Sequence, residues 1–338
     1  MWEFTIKPFD VVFFGDGKPF NLGGMGESIF PPFPNSFASA IFSKIYKQMN
    51  TNEDVYKAVY GPFLKKDNKY YFPAPCDIAK EKTGDRIKVY KATEGSKLIK
   101  IENTNFEGNL KGIPWIKPES QEEYEPFRGF ISLDGLKSWY EESPIEKSEL
   151  LTEGEVFDIE DRVSISMDDK KGTVKEEDGL YKVRFVRLKE GFSFVFWVEF
   201  KEQNYENVFK KFPNVLKIGG ETRTAVYEVR EHNFKDLFKD FKSDDEGEIF
   251  KILFLTPGVL GDGNSIFEFF ENLEYACISG YTLLSIRSRR YKNRFVRAIK
   301  PGSVFSIRSD NNLSIPIDFY KRSNDFIGSN LVLVKKGR

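Results

Sequence analysis

Residues Phe4 to Phe14 form a mostly apolar run that predicts a strand, broken at "GDGKPF", where Gly15 and Gly17 flank Asp16 in turn chemistry. A loop rich in Gly and Pro follows ("NLGGMGESIFPPFP"). Phe37, Ile41, Phe42 and Ile45 then recur at helical spacing behind Asn35 or Ser36, either of which suits an N-cap. "YYFPAP" at Tyr70 to Pro75 predicts a short strand, whereas residues 80 to 155 alternate polar turns with acidic stretches and yield no assignment. "DRVSISMDDKKGTVKEEDGLYKVRFVRL" alternates at both ends around a polar middle, which predicts a long hairpin carrying Arg162, Arg184 and Arg187. "FSFVFWVEF", Phe192 to Phe200, is apolar on both parities and predicts a buried strand of the first domain's sheet; "KIGGETRTAVYEV" predicts a glycine turn followed by alternation.

From Ile249 the pattern runs strand ("IFKILFL"), helix ("SIFEFFENL"), strand ("YACISGYTLLSI"), a basic segment, strand ("SVFSI"), a short helical stretch around Ile317 to Lys321, and strand ("NLVLV"). That β-α-β-β-α-β order is the ferredoxin-like one. It places the basic segment in the connection between the second and third strands, where a cationic loop projects from the sheet.

Charge sharpens this. The chain of 338 residues has formal net charge −1, yet Tyr281 to Arg338 holds 13 Lys and Arg against Asp310, Asp318 and Asp325, a net of +10, leaving −11 for the rest. Between Arg287 and Lys300 there is no acid at all, and such a pole fits a polyanion partner. The length implies two domains. Abundant Lys and Glu with few labile residues point to a heat-adapted source. Cys76 and Cys277 are two lone thiols, which fits a reducing cytosol and two small buried side chains better than a disulfide framework or a zinc site. No apolar run approaches the roughly 18 residues that span a bilayer and no signal-peptide core is present, so a cytoplasmic protein is expected.

Chemistry is sparse. "GDGKPFNLGGMGES" matches neither the dinucleotide fingerprint nor the P-loop, "SMDDKKGTVKEEDG" lacks the ligand spacing of a calcium loop, and His232 is the one imidazole, without cysteine partners for zinc. No cofactor, metal or catalytic residue is expected, and binding is favoured over turnover. Single-stranded RNA needs cations for phosphates and planar groups for bases, and the segment Arg287 to Arg297 offers both, with Tyr291 the aromatic best placed to stack.

Taken in order, "FFGDGKPF", "PPFPNSFASAIF", the hairpin sequence, "IGGETRTAVYEV", "FLTPGVLGDG" and "SGYTLLSIRSRRYKNRFVRAIKPGSVF" resemble the third subunit of the Cmr complex, a RAMP-superfamily family of type III-B CRISPR effectors. The resemblance covers nearly the whole chain. It implies an α+β protein of two ferredoxin-like (RRM-like) domains, residues 1–245 with the hairpin inserted and 246–338. It also implies a non-catalytic role: holding the 5′ repeat-derived tag of the CRISPR RNA while bridging the polymerase-like large subunit and the repeating backbone subunit. Carried over by position, the RNA-binding residues are Asp16, Gly17 and Lys18 of the first loop, Gly219, Gly220 and Arg223 of "GGETR", and Arg287, Arg289, Arg290, Lys292 and Arg294 of the basic segment. Arg297 and the hairpin arginines join them on charge and position. Gly15 stands where many relatives have Arg, and the C-terminal glycine-rich loop is reduced to "DFIGSNLVLV", with Gly328 alone.

Two other readings compete. One is a RAMP-type, metal-independent endoribonuclease that processes repeat RNA, using His232 or a Tyr with Lys or Arg. The other is the equivalent subunit of a type III-A complex or a 5′-handle binder of a type I complex.

Overall fold

The structure is a computed structural model that describes residues 1–15, 25–94, 112–115, 123–165, 180–242, 249–259, 273–286, 294–308, 317–318 and 327–337. Within them the chain is a strand-rich α+β protein with few helices. In chain order the elements are β1 (Trp2–Pro8), β2 (Met25–Glu27), α1 (Pro34–Met49), β3 (Tyr56–Lys66), β4 (Lys69–Pro73), β5 (Ile78–Glu81), β6 (Ile87–Val89), β7 (Lys91–Glu94), β8 (Gly112–Trp115), β9 (Tyr124–Pro126), β10 (Phe130–Ser132), α2 (Leu133–Tyr140) and β11 (Leu150–Leu151). There follow a single helical turn, α3 (Glu153–Val156), then β12 (Phe157–Ile165), β13 (Leu180–Leu188), β14 (Phe192–Phe200), β15 (Val215–Lys217), β16 (Thr224–Glu231), β17 (Ile249–Phe254), β18 (Gly258–Val259), β19 (Leu273–Cys277), β20 (Tyr281–Ile286), β21 (Arg294–Ile299), β22 (Val304–Arg308), β23 (Ile317–Asp318) and β24 (Leu331–Gly337). No helix among the described residues is long and apolar enough to cross a membrane.

Two compact units are each built from three segments: Met1–Asn68, Gly154–Phe234 and Leu283–Phe295 form the first, and Lys69–Glu153, Lys235–Thr282 and Val296–Arg338 the second. The expectation divided the chain once, between 245 and 246; these units are a grouping by compactness, each drawing on three segments.

In the first unit the strands run β3-β14-β1-β16-β15, all antiparallel. The apolar run of β14 makes sense at once, because it lies between β1 and β3 with covered faces above and below. On one face Phe194 and Phe196 meet Phe37 of α1 at ring separations of 5.2 and 5.6 Å, and Phe14 stacks on Phe37 at 5.7 Å. On the other, Trp197 meets Phe234 edge-on at 5.1 Å and Phe63 stacks on the same ring. Much of the chain's abundant Phe is spent here, each ring burying a large apolar area. Beside Trp197 the fully buried Glu3 carboxylate is held by Lys65 (3.0 Å), Arg230 (2.9 Å) and His232 Nδ1 (2.6 Å).

Helix α1 starts earlier than expected. Neither Asn35 nor Ser36 caps it; the N-cap is Phe33 and Pro34 occupies the first helical position. Proline suits that position because its missing N–H would have no intrahelical partner there. Phe37, Ile41 and Ile45 face inward as the spacing requires, and Phe42 is half-buried. The first strand stops at Pro8 rather than running to Phe14: the chain leaves the sheet, and Val12 instead exchanges backbone hydrogen bonds with Val186 of the hairpin (2.8 and 2.9 Å).

The second unit holds the antiparallel sheet β19-β22-β17-β24-β23 and the antiparallel run β11-β10-β4, with smaller pairings β6-β5-β9 and β7-β8. One face of the five-stranded sheet buries Phe250, Ile252, Phe254, Phe305, Val332 and Val334. Its register pairs Lys251 with Lys335, and both lysines reach carboxylates: Asp77, fully buried, for Lys251 and Glu142 for Lys335. Trp139 of α2 donates to the same Asp77 (2.9 Å). Two expectations are corrected in this region. Residues 294–299, taken as connection, form β21, paired to β18; and Ile317–Asp318, taken as helical, pair with β24 as a strand. In each case a short apolar run carries no period long enough to separate helix, loop and strand. The expected helix "SIFEFFENL" lies outside the described residues except for Leu273, which opens β19.

Candidate nucleic-acid interface

Strands β12 and β13 pair over their full lengths, with Arg162 opposite Val183, Asp161 opposite Arg184 and Asp158 opposite Arg187. Side chains alternate along a strand, so Arg162 and Arg187 fall on one face of the hairpin and Arg184 on the other. The first face packs against Val11 and Phe13, which form a cluster with Val183 and Phe185.

On that face Arg162 and Arg187 share two carboxylates. Glu160 accepts from Arg162 Nε at 2.6 Å and from Arg187 Nε and Nη2 at 2.9 and 2.7 Å. Asp10, just past β1, accepts from Arg162 Nη2 at 3.0 Å and lies 2.7 Å from Arg187 Nη2. Arg223 joins from the β15–β16 turn: its guanidinium carbon sits 4.5 Å above the Phe185 ring and its Nη1 is 3.8 Å from Asp10. The Arg162 guanidinium lies 5.5 Å from the same ring. The buried Nε of Arg223 has no hydrogen-bond partner among the described residues.

The "GG" of the turn has a local reason. Gly220 donates to the Phe13 carbonyl at 2.8 Å, and Gly219 has φ 67°, with a Cβ there falling 2.3 Å from the same oxygen. Only glycine admits that approach. The turn is thereby clamped to the Asp10–Phe14 segment, which carries Arg223 to the hairpin.

Donation from Arg187 and then Arg162 holds the Glu160 carboxyl below its ordinary range. Burial pushes Asp10 up, but donation from Arg162 and Arg187 outweighs it and the net shift is down. Both arginines move up, chiefly through Glu160. Asp10, Glu160, Arg162 and Arg187 are therefore charged at neutral pH, and with Arg223 the cluster sets three basic side chains against two acidic ones. The surplus cation and the partly exposed guanidinium groups, two of them set over the buried Phe185 ring, suit a phosphate or a base plane.

The other expected residues are placed as follows. Arg184 pairs with Asp161 (3.0 Å) and Glu27 (3.3 Å) on the opposite hairpin face. Arg294 opens β21, and Arg297, exposed, lies with its guanidinium carbon 5.9 Å from the Tyr281 ring. Gly328 has φ 74°, a turn before β24. Asp16, Gly17, Lys18, Arg287, Arg289, Arg290, Tyr291 and Lys292 lie outside the described residues. His232, considered as a base, is held between Glu3 and the Trp197 indole nitrogen (3.4 Å). Asp10, Glu160, Phe13 and Phe185 were missed. Strand parity, which sets Glu160 and Phe185 beside Arg162 and Arg187, was the available signal for two of them; nothing local marked Asp10 or Phe13.

A family model described as CRISPR-associated protein (Cas_Cmr3) matches residues 4–333. No curated protein matches. Among solved structures, a chain of the type III-B Cmr-beta complex bound to cognate target RNA is similar at TM-score 0.54 and 17% identity, covering 90% of this chain and 86% of that one. A chain of the same complex bound to cognate target RNA and AMPPnP gives TM-score 0.53 with the same identity and coverage. At that identity the likeness is one of fold.

Proposed function

The chain belongs to the Cas_Cmr3 family of CRISPR-associated proteins, and from that premise we propose that it is a non-catalytic, cytoplasmic RNA-binding subunit of a type III CRISPR effector complex. In this reading it holds the 5′ repeat-derived tag of the CRISPR RNA and bridges the polymerase-like large subunit and the repeating backbone subunit. The observation that carries the proposal is the convergence of Arg162 and Arg223 over Phe185, with Arg187 joined to them through Asp10 and Glu160, beside the clamped Gly219–Gly220 turn. Two ferredoxin-like domains are part of it: the strand orders β16-β1-β14-β3 and β24-β17-β22-β19 each set a fourth, first, third and second strand side by side, the arrangement that motif requires. The basic segment between β20 and β21 supplies the remaining phosphate contacts.

Tag RNA binding is measured by fluorescence anisotropy across a salt series, with the large subunit present. With about four phosphates neutralised, log K falls with log salt at a slope of roughly −3. Arg289→Ala with Arg290→Ala flattens the slope by about one to two units. Arg162→Ala or Arg223→Ala each flattens it by about 0.7. A slope unchanged in all these variants overturns the reading. Incubation with repeat RNA in EDTA is expected to leave it intact; a single defined cut establishes the endoribonuclease instead.

A further inference from the structure

The only two cysteines of the chain, 201 positions apart, meet within the second unit. Cys76 follows β4, and its N–H donates to the Gly302 carbonyl at 2.8 Å. Cys277 ends β19 in register with Val304 of β22. Cys76 is thus tied to the turn between β21 and β22, and Cys277 to the first residue of β22. That turn has no slack: Gly302 has φ 85°, and a Cβ there would fall 2.5 Å from the Ala74 carbonyl oxygen. The thiols cross, Cys76 Sγ donating to the Cys277 carbonyl at 2.6 Å and Cys277 Sγ to the Cys76 carbonyl at 3.1 Å. Each sulfur therefore lies over the other residue's backbone. A disulfide needs close Cβ atoms and side chains directed at each other, and the crossed contacts bring each sulfur within hydrogen-bonding distance of the other residue's backbone.

We propose that Cys76 and Cys277 are a disulfide-forming pair, closing an intrachain bond with a low-molecular-weight disulfide such as oxidised glutathione. Both residues are half-buried, so a small reagent reaches them more readily than another protein does. Cys277 attacks first. When Cys277 ionises, the Cys76 S–H turns from the carbonyl to its sulfur; that donation outweighs burial and Asp77 and lowers the Cys277 thiol, whereas burial pushes the Cys76 thiol up. The Cys277 thiolate displaces one thiolate from the reagent and forms a mixed disulfide. That thiolate takes the Cys76 proton, and Cys76 Sγ attacks Cys277 Sγ, expelling the second half of the reagent. The second thiolate takes from solvent the proton that Cys277 released on ionising, so two cysteine S–H bonds and the reagent's S–S bond are broken, one protein S–S bond is made, and the reagent leaves as two thiols. The product ties the segment after β4 to β19 across a very long loop.

The test uses the full native chain, exposed to oxidised glutathione, then denatured and treated with a maleimide mass tag. The expected result is loss of both taggable thiols together, an intact monomer mass lower by two hydrogens, and a protease digest containing the Cys76 and Cys277 peptides linked. Cys76→Ser stops at a stable glutathione adduct on Cys277. If that variant does not fold, the wild-type digest decides alone. Two thiols still taggable, separate glutathione adducts as the endpoint, or covalent dimers would each overturn the proposal.

Discussion

At the scale of single residues, the hairpin site turns on acids that keep arginines in place without neutralising them. Asp10 takes hydrogen bonds from Arg162 and lies in ion-pair contact with Arg187 and Arg223. Asp10→Asn removes a charge from an exposed network, so global stability measured by urea unfolding should change by less than about 1 kcal/mol. The freed guanidinium should steepen the salt slope of RNA binding by about 0.7, the opposite of the effect of losing Arg162. The depressed pKa values of Asp10 and Glu160 also carry a sign. Groups lowered on folding stabilise the protein above their unfolded values and lose that contribution as pH falls through the folded ones. Thermal scans should therefore show stability from this cluster disappearing in acid, below the ordinary carboxylate range, and no change from it near neutrality. Gly219→Ala forces a side chain against the Phe13 carbonyl at positive φ. It should cost about 1–3 kcal/mol in urea unfolding and displace Arg223 along with the turn.

At the scale of elements, period-two alternation decides what each arginine of the hairpin does. Arg184 and Arg187 are three positions apart on β13, so one faces Glu27 and the other Glu160. Arg184→Ala should leave RNA affinity within about twofold of wild type if the Phe185 face carries binding, a comparison anisotropy makes directly. Helix α2 is a clearer case of local chemistry that went unread. Ser132 caps it by accepting from Gly135 N–H at 3.0 Å, and its hydroxyl also donates to Glu149. Ser132→Ala should lower stability by about 1 kcal/mol by equilibrium unfolding. The cap stood inside residues 80 to 155, where eight residues of helix amid short strands give too little periodicity to recognise. Long elements fared differently: α1, β14, β17, β24 and the paired arms of the hairpin all form where helical spacing, alternation or a continuous apolar run predicted a helix or a strand, although α1 begins a residue or two early.

At the scale of the whole molecule, the two units draw on interleaved segments, so neither corresponds to one continuous stretch. The sheet containing β17 and β24 relies on residues far away in sequence: Asp77 for Lys251, and Glu142 for Lys335. Burial pushes the Lys251 ammonium down, but Asp77 and Tyr275 outweigh it, and the net shift is up. Its contribution to stability is therefore complete at neutral pH and is lost only in strong alkali, as pH rises through the raised value. Asp77→Ala strands a buried charge and should cost about 3–5 kcal/mol in urea unfolding. A fragment of residues 246–338 lacks both carboxylates, and its amide spectrum should show the dispersion of an unfolded chain; a folded spectrum would mean the C-terminal strands need no help from residues 69–153.

The linear order of residues by itself determined the long elements, the charge asymmetry and, through an ordered set of motifs, the family. Those are properties of neighbours along the chain: periodicity, composition and turn chemistry act over a few residues and can be read there. The tertiary structure alone decided that Asp10 sits among three arginines and that Cys76 and Cys277, taken singly as small buried side chains, each set a sulfur against the other's backbone. Such pairings depend on which backbone segments the sheets bring within hydrogen-bonding distance, and sequence separation carries no information about that distance once the chain has folded back on itself.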